Sequence, residues 1–253
     1  MTPDARKWAG VSYPAVRVGG MDIILIPGFW LDASSWDEIA PALEKAGHRT
    51  HALTLPGMES ADADRSGIGL RDHVDAVAAA VDAIDGPVVL VGHSGGGAVA
   101  HAVADARPDR VSRVIYVDSA PLGPGGVIND ELPVVGGEIP LPDWNVFEDE
   151  DLVDLTPELR EAFRARAIPT PKGVAFDEQR LGDDRRFDVP ITVICCEFSS
   201  AMVRAWVEQQ IPFAKELATV KDASYIDLPT GHWPQFTKPA ELTDAILSAV
   251  GHA

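Results

Sequence analysis

The chain has little cysteine and no long apolar run. Its only cysteines among 253 residues are Cys195 and Cys196, and adjacent cysteines make a poor structural disulfide, so we expect no disulfide framework. Both lie in an apolar run, which predicts two small hydrophobic side chains in a buried strand. No stretch approaches the roughly 20 apolar residues of a membrane helix, and residues 1–14 lack an apolar segment followed by a cleavage site. We therefore expect a soluble cytoplasmic protein that spans no membrane.

Basic residues are scarce as well. The chain has 21 Lys and Arg against 39 Asp and Glu, which gives a net charge of −18 with histidine neutral. Because a phosphate-rich surface repels such a chain, the charge argues against nucleic acids and anionic membranes as partners. The acidity also slows the approach of anionic substrates, so we expect a small-molecule substrate that is neutral or cationic. The sequence carries no signal for an oligomeric state.

What the chain does have is a regular alternation of short β-branched runs and longer Ala-rich stretches. Near-continuous apolar runs are typical of strands in a parallel sheet covered on both faces. Strand–helix alternation then predicts an α/β fold with a doubly wound, mostly parallel sheet. The predicted strands are 23–26, 49–55, 88–91, 111–117, 191–195 and 225–228, and the predicted helices are 34–46, 70–84, 95–107, 203–218 and 239–250.

The alternation breaks between Ser119 and Phe187. This 69-residue interruption is rich in Gly and Pro and is too long for an ordinary connection. We therefore expect an inserted helical cap over residues 119–187, with helix-like pieces at 148–155 and 157–167. The core would comprise residues 1–118 and 188–253.

The strongest chemical signal is the motif Gly-His-Ser-Gly-Gly-Gly at residues 92–97, which follows the apolar run PVVLV and precedes an Ala-rich helix. A serine on a tight strand-to-helix turn is held in strained backbone geometry, and the flanking glycines let the neighbouring elements approach it closely. Its hydroxyl then projects above the sheet, and the helix N-terminus beneath it favours developing negative charge. The motif predicts that Ser94 is a nucleophile.

At this point the chain resembles the α/β-hydrolase superfamily. The resemblance covers nearly the whole length, from PGFW after the first clear strand through GHSGGG to TGHWP after the last strand. The detail of PGFWLDASSW, of the PTP segment in the cap and of LPTGHWPQFTKPAEL is similar to the compact branch of esterases and hydroxynitrile lyases. The resemblance implies an α/β-hydrolase fold with an inserted cap.

The resemblance also implies the residues that assist Ser94. His232 lies in the loop before the final helix, where the superfamily places its base, and imidazole has the pKa needed to take the serine proton. The oxyanion hole would consist of the backbone N–H groups of Gly95, directly after the nucleophile, and of Phe29. Many relatives have His-Gly before that second position, whereas this chain has Pro27 and Gly28. A backbone donor at Phe29 survives that change.

The third member of a triad is left open by the sequence. Most relatives carry an Asp at the position that corresponds to Ser199, and a serine cannot stabilise an imidazolium. Asp118 ends the strand RVIYV, and its position resembles that of the acid in haloalkane dehalogenases and in cofactor-free ring-cleaving dioxygenases. Glu197 ends its own strand, at a position usually held by a supporting glutamate. We favour Asp118 over Glu197, and a Ser94–His232 dyad is the third possibility.

These residues predict a serine hydrolase that cleaves a small ester or lactone without a metal or cofactor, since the sequence has no metal-binding or phosphate-binding motif. Trp233 stands where plant-type hydroxynitrile lyases have a Lys, which argues against cyanohydrin cleavage. The alternatives are a cofactor-free dioxygenase of the same fold, although Gly95 replaces the second His of those enzymes, and a catalytically degraded small-molecule-binding protein. Five aromatic residues are candidates for an apolar substrate pocket, although we expect some of them to be ordinary core residues. They are Phe29, Trp30, Trp144, Phe147 and Trp233.

Overall fold

The structure is a computed structural model that describes residues 20–251. Residues 1–19 and 252–253 lie outside this range. The N-terminal segment 1–14, on which the prediction of a cytoplasmic protein partly rests, is among them. Within residues 20–251, no helix is both long and apolar enough to cross a membrane.

Six strands form the central sheet, and they are β1 (Asp22–Ile26), β2 (Arg49–Ala52), β3 (Val88–His93), β4 (Val111–Val117), β7 (Ile191–Cys195) and β8 (Ala223–Asp227). Their order in the sheet is β2-β1-β3-β4-β7-β8, and each neighbouring pair is parallel. The prediction of a doubly wound α/β fold is confirmed, and all six predicted strands are present with small differences in their ends.

Side-chain alternation along the central strands divides the core between the two faces of the sheet. In β1, Ile24 and Ile26 belong to one hydrophobic cluster, whereas Ile23 and Leu25 belong to another. The first cluster includes residues of α2 (Leu70–Asp82), α3 (Gly95–Ala106), α6 (Ser200–Glu208) and α7 (Lys215–Thr219). The second includes residues of α1 (Ala40–Lys45) and of α9 (Pro239–Val250), the last helix, which follows the short α8 (Pro234–Thr237). Both faces are therefore covered, as the apolar strands require.

Two predicted helices are interrupted. The predicted helix 34–46 is a 3-10 helix (Ala33–Trp36) followed by α1, whose first turn contains Pro41. The predicted helix 203–218 is divided into α6 and α7, because Pro212 cannot supply the backbone N–H that a continuous helix needs. Pro212 instead starts a 3-10 helix (Pro212–Ala214).

The inserted cap lies between β4 and β7. It contains a two-stranded antiparallel sheet of β5 (Glu138–Ile139) and β6 (Thr170–Pro171), together with α4 (Pro157–Arg166) and α5 (Lys172–Phe176). Two 3-10 helices, Trp144–Val146 and Asp184–Asp188, complete the insertion. The division into a cap at 119–187 and a core at 1–118 and 188–253 stays a proposal.

One predicted cap helix, at 148–155, is wrong. The segment forms turns, in which the carboxylate of Asp151 accepts a hydrogen bond from the N–H of Glu148 and Asp154 has a positive φ of 63°. Side chains that bond to nearby backbone groups compete with the helix. The other predicted helix is present as α4, where the hydroxyl of Thr156 accepts a hydrogen bond from the N–H of Leu159.

Candidate active site

Ser94 occupies a sharp turn between β3 and α3. Its φ is 51° and its ψ is −126°, a backbone conformation that costs a non-glycine residue about 1–3 kcal/mol. Glycines permit the turn, since a Cβ on Gly92 would lie 2.5 Å from the carbonyl oxygen of Gly96, and a Cβ on Gly96 would lie 2.6 Å from that of Ile26. The strand–turn–helix geometry that the sequence predicted is present, and it lifts the Ser94 hydroxyl into a cleft.

A hydrogen-bonded chain runs from Ser94 through His232 to Asp118. Oγ of Ser94 lies 2.8 Å from Nε2 of His232, and Nδ1 of His232 lies 2.7 Å from Oδ2 of Asp118. The three residues follow the carboxyl ends of β3, β8 and β4, which meet at one edge of the sheet. The fold thus brings together three residues that are up to 138 positions apart in the chain.

Asp118 is held in place by the neighbouring strand. Its side chain is only 2% exposed, and its Oδ1 accepts hydrogen bonds from the N–H groups of Cys196 and Glu197 at 3.0 and 3.1 Å. Burial raises the pKa of Asp118, but the hydrogen bonds from His232 and Glu197 outweigh burial and hold that pKa below its usual value. Asp118 is therefore an ionised acceptor, and Nδ1 of His232 must carry the proton between them.

Glu197 places a second carboxyl group beside the same imidazole. Its Oε1 also lies 2.7 Å from Nδ1 of His232, yet among the described residues this oxygen has no hydrogen-bond partner of suitable geometry. Burial raises the pKa of Glu197 to about 8, although His232 acts in the opposite direction. The surroundings of Asp118 thus favour its charged form, whereas burial favours the protonated form of Glu197.

The pKa of His232 responds to both acidic neighbours. Burial lowers it, but the hydrogen bond with Asp118 and the presence of Glu197 outweigh burial, so the pKa lies above that of an ordinary histidine. The loop of His232 is supported from below by His93, whose Nε2 lies 2.6 Å from the carbonyl oxygen of His232. Burial lowers the pKa of His93 to about 3, so this second imidazole is neutral and donates the hydrogen bond.

The loop after β1 lies against the Ser94 turn. A Cβ on Gly28 would lie 2.8 Å from Nδ1 of His93 and 2.9 Å from Cβ of Ser94, so the close approach requires glycine. Phe29 and Gly95 both line the cleft. Gly95 is the first residue of α3, and its N–H has no acceptor within the helix. The two residues predicted for an oxyanion hole therefore line the same cleft as Ser94.

The cap contacts the His232 loop directly. The N–H of His232 donates to the carbonyl oxygen of Asp151 at 2.9 Å, and the N–H of Gly231 donates to that of Val153 at 3.0 Å. A Cβ on Gly231 would lie 2.7 Å from the oxygen of Val153 and closer still to that of Asp151. This tether was not predicted, because only its glycine could be read locally and the partner carbonyls lie about 80 residues away in the chain.

Aromatic side chains form both the cleft and the joint between cap and core. The cleft has a volume of about 400 Å³, and of the five predicted pocket aromatics it is lined by Phe29, Trp30 and Phe147. The other two, Trp144 and Trp233, do not line the cleft and belong to a packed hydrophobic cluster, as was expected for some of the five. They pack edge to face at 5.9 Å in the cap–core joint, where Trp233 is fully buried. Burial of these large rings holds the cap on the core.

Asp118, Glu197 and His232 are also close enough to share a metal ion, since one potential ligand atom of each lies within 4.8 Å of the others. A metal ion on Nδ1 of His232 would displace the proton that Asp118 accepts. The donor set thus fits the hydrogen-bonded chain with Ser94 better than it fits a metal.

The chain was compared with protein-family models, with curated proteins and with solved structures. A family model described as the Alpha/beta hydrolase family matches residues 23–245. The chain is 27% identical to a pyrethroid hydrolase of Sphingobium wenxiniae over 254 residues, which cover 89% of this chain and 86% of the relative. It is 29% identical to a lipase of Mycobacterium tuberculosis over 205 residues, covering 71% and 75% of the two chains.

Solved structures share the fold. An extracellular alpha/beta-hydrolase from a Paenibacillus species superimposes with a TM-score of 0.73 at 22% identity, covering 90% of this chain and 98% of that one. A methylesterase from Arabidopsis gives a TM-score of 0.71 at 18% identity, covering 92% and 100%.

Proposed function

The chain belongs to the alpha/beta hydrolase family, and from that premise we propose that it is a serine hydrolase that cleaves a small ester or lactone through an acyl-enzyme on Ser94. The relatives named as hydrolase and lipase make it an enzyme of the carboxylic ester hydrolase type. The nucleophile, the base, the acid and the oxyanion donors rest on the geometry of this chain.

The observation that carries the proposal is the Ser94–His232–Asp118 chain of hydrogen bonds. A serine hydroxyl is a weak nucleophile at neutral pH and needs a base within hydrogen-bond reach. Nε2 of His232 takes the proton as Oγ of Ser94 attacks the ester carbonyl, and the ionised Asp118 stabilises the imidazolium through Nδ1.

The remaining steps follow from the same groups. Negative charge that develops on the carbonyl oxygen is stabilised by the N–H groups of Phe29 and Gly95, at the positive end of α3. His232 returns its proton to the leaving alcohol, and the acyl group stays on Ser94. Water then enters, His232 takes a proton from it, and the acid is released as Ser94 is regenerated.

The cleft favours a neutral and partly apolar substrate. Phe29, Trp30 and Phe147 supply apolar surface, and the molecule carries a net charge of −18, to which Asp151 in the lining of the cleft contributes. The negative field would slow the approach of an anionic ester, whereas it would hardly change the rate at which a neutral ester approaches.

A fluorophosphonate probe tests the nucleophile, because it forms a stable adduct with an activated serine. We expect wild-type protein to be labelled and Ser94→Ala protein not to be, with the loss of turnover reaching the order of 10⁶ in kcat. Ser248→Ala is the matched control, since Ser248 is exposed on α9 and does not line the cleft, so labelling should stay intact.

Three results would contradict the proposal. Labelling of Ser94→Ala at the wild-type rate would place the nucleophile elsewhere. Absent labelling combined with tight binding of a small molecule would favour the binding-protein alternative. Absent labelling combined with oxygen consumption on an aromatic substrate would favour the cofactor-free dioxygenase.

A further inference from the structure

A second cavity lies beside the catalytic cleft, at the carboxyl end of β7. Its volume is about 150 Å³, and its walls come from the end of β7 and from the two helices that follow it, with Cys195, Val203 and Leu217 among the lining residues. These walls are almost entirely apolar. Burial raises the pKa of Cys195 to about 12, so its thiol stays protonated and behaves as a small apolar group.

Three aromatic rings surround the cavity on its outer side. Trp206 packs edge to face against Phe198 at 4.9 Å and against Phe213 at 5.1 Å, and all three line the cavity. Phe198 and Phe213 stay 41% and 59% exposed. A contiguous patch of exposed aromatic surface beside an apolar cavity is a typical feature of a ligand site.

The cavity and the catalytic cleft share one wall, which consists of Asp118, Ser119 and Ala120. The polar groups of that wall are already engaged. Asp118 accepts three hydrogen bonds, from His232 and from two backbone N–H groups, and the hydroxyl of Ser119 donates to the carbonyl oxygen of Ser94 at 2.8 Å. Because these polar groups are already paired, the wall offers no free hydrogen-bonding group to a ligand in the cavity.

The size of the cavity limits what it can hold. An apolar cavity of about 150 Å³ has room for a ligand the size of benzene. Because residues 118–120 line both spaces, the cavity adjoins the cleft that holds the Ser94 hydroxyl.

We propose that this cavity is a second substrate subsite, which takes an apolar group of about six carbons from one side of a neutral ester bound at Ser94. The inference rests on the proposed function and adds the substrate class to it. The preferred ester carries one group for the aromatic cleft and one compact hydrocarbon group for the cavity.

Ala214→Leu tests the subsite, because Ala214 lines the second cavity and not the catalytic cleft, and the added isopropyl group fills the space. Two ester series are used, one with acyl groups from acetate to hexanoate and one with acetates of alcohols from ethanol to cyclohexanol. In one of the two series we expect wild-type kcat/KM to rise as the apolar group becomes larger. In that series Ala214→Leu should lower kcat/KM for the six-carbon ester about tenfold. Ethyl acetate should change by less than about twofold.

Ala201→Leu is the matched control. Ala201 is exposed on α6 and lines neither cavity, so the same substitution there should leave both series unchanged. If Ala214→Leu lowers kcat/KM for short and six-carbon esters alike, or lowers neither, the cavity is not a substrate subsite.

Toluene binding separates this inference from the proposed function. We titrate toluene into Ser94→Ala protein and follow tryptophan emission. Trp206 lines the cavity, so the change in emission caused by toluene should be lost on adding Trp206→Phe. One outcome is that toluene binds, that Ala214→Leu abolishes this binding, and that the protein with Ser94 intact hydrolyses no ester. This outcome would contradict the proposed function, and the cavity would then be a ligand-binding site without a role in ester hydrolysis. The absence of toluene binding would overturn the subsite.

Discussion

At the scale of single residues, the site contains two carboxyl groups that are equally near to one imidazole and that differ in their surroundings. Asp118 receives two backbone hydrogen bonds and ionises readily, whereas Glu197 is 9% exposed and its nearest oxygen lacks a suitable hydrogen-bond partner. Neighbouring acids whose environments separate their pKa values take different roles. This contrast supports Asp118 as the residue that stabilises the imidazolium.

The contrast predicts unequal effects of removing the two charges. Asp118→Asn should lower kcat by up to about 10⁴, because the amide favours the wrong histidine tautomer. Glu197→Gln should be milder by at least an order of magnitude, since a protonated carboxyl and an amide carry the same charge. Steady-state rates on a neutral ester compare the two. A stronger effect at Glu197 would reverse the assignment, and small effects at both would indicate a Ser94–His232 dyad.

The raised pKa of His232 predicts the pH dependence of turnover. His232 accepts a proton only when neutral, so kcat/KM should rise with pH through a midpoint above the usual value of about 6.5. Asp118→Asn removes a charge that favours the imidazolium, so the midpoint should move to lower pH. The profile is measured from pH 5 to 10 with a non-ionisable ester, and a midpoint that stays in place in Asp118→Asn would count against this reading.

At the scale of elements, the turn that carries His232 depends on the cap. Two backbone hydrogen bonds from Gly231 and His232 end on the cap carbonyls of Val153 and Asp151. His93 supports the same loop from the core side. The base is thus positioned between two layers, and a change in either should move it.

Gly231→Ala should misplace the base, because the new methyl group overlaps the carbonyl oxygens of Asp151 and Val153. A displacement of about 1 Å at a catalytic group can lower kcat by roughly 10²-fold. We expect a loss of that order for short and long esters alike, measured by steady-state kinetics.

Gly251→Ala is the control, since the nearest atom to its Cβ would lie 3.5 Å away. Unchanged kcat in Gly231→Ala would show that the cap does not position His232.

The sequence predicted those elements that local pattern determines. Strand–helix alternation located six strands, and the glycines at 92 and 95–97 predicted that Ser94 lies on a sharp turn between a strand and a helix. The choice between Asp118 and Glu197 could not be made locally, because it depends on β4 and β7 lying side by side, with Val117 opposite Ile194. Segment 148–155 has a helical composition, but the side chain of Asp151 bonds to the backbone of Glu148 instead. The contact between Trp144 and Trp233 joins the cap to the core and therefore depends on tertiary structure.

At the scale of the whole molecule, the charge of −18 acts on every substrate that approaches the cleft. Raising the salt from about 0.01 M to about 1 M shortens the screening length from about 30 to about 3 Å. We expect kcat/KM for an anionic ester to rise by roughly tenfold and that of a cationic ester to fall. A neutral ester of the same shape is the reference, and parallel responses of all three would exclude long-range steering.

The tether between the cap and the His232 loop also bears on how such an enzyme can diversify. A cap that served only to shape the cleft could be exchanged between relatives like a module, and specificity would change while the rate of the chemical step stayed constant. Here a transplanted cap would also have to present two carbonyl groups at the positions of Asp151 and Val153. New specificities should therefore arise more readily by single replacements among the cleft side chains than by recombination of whole caps.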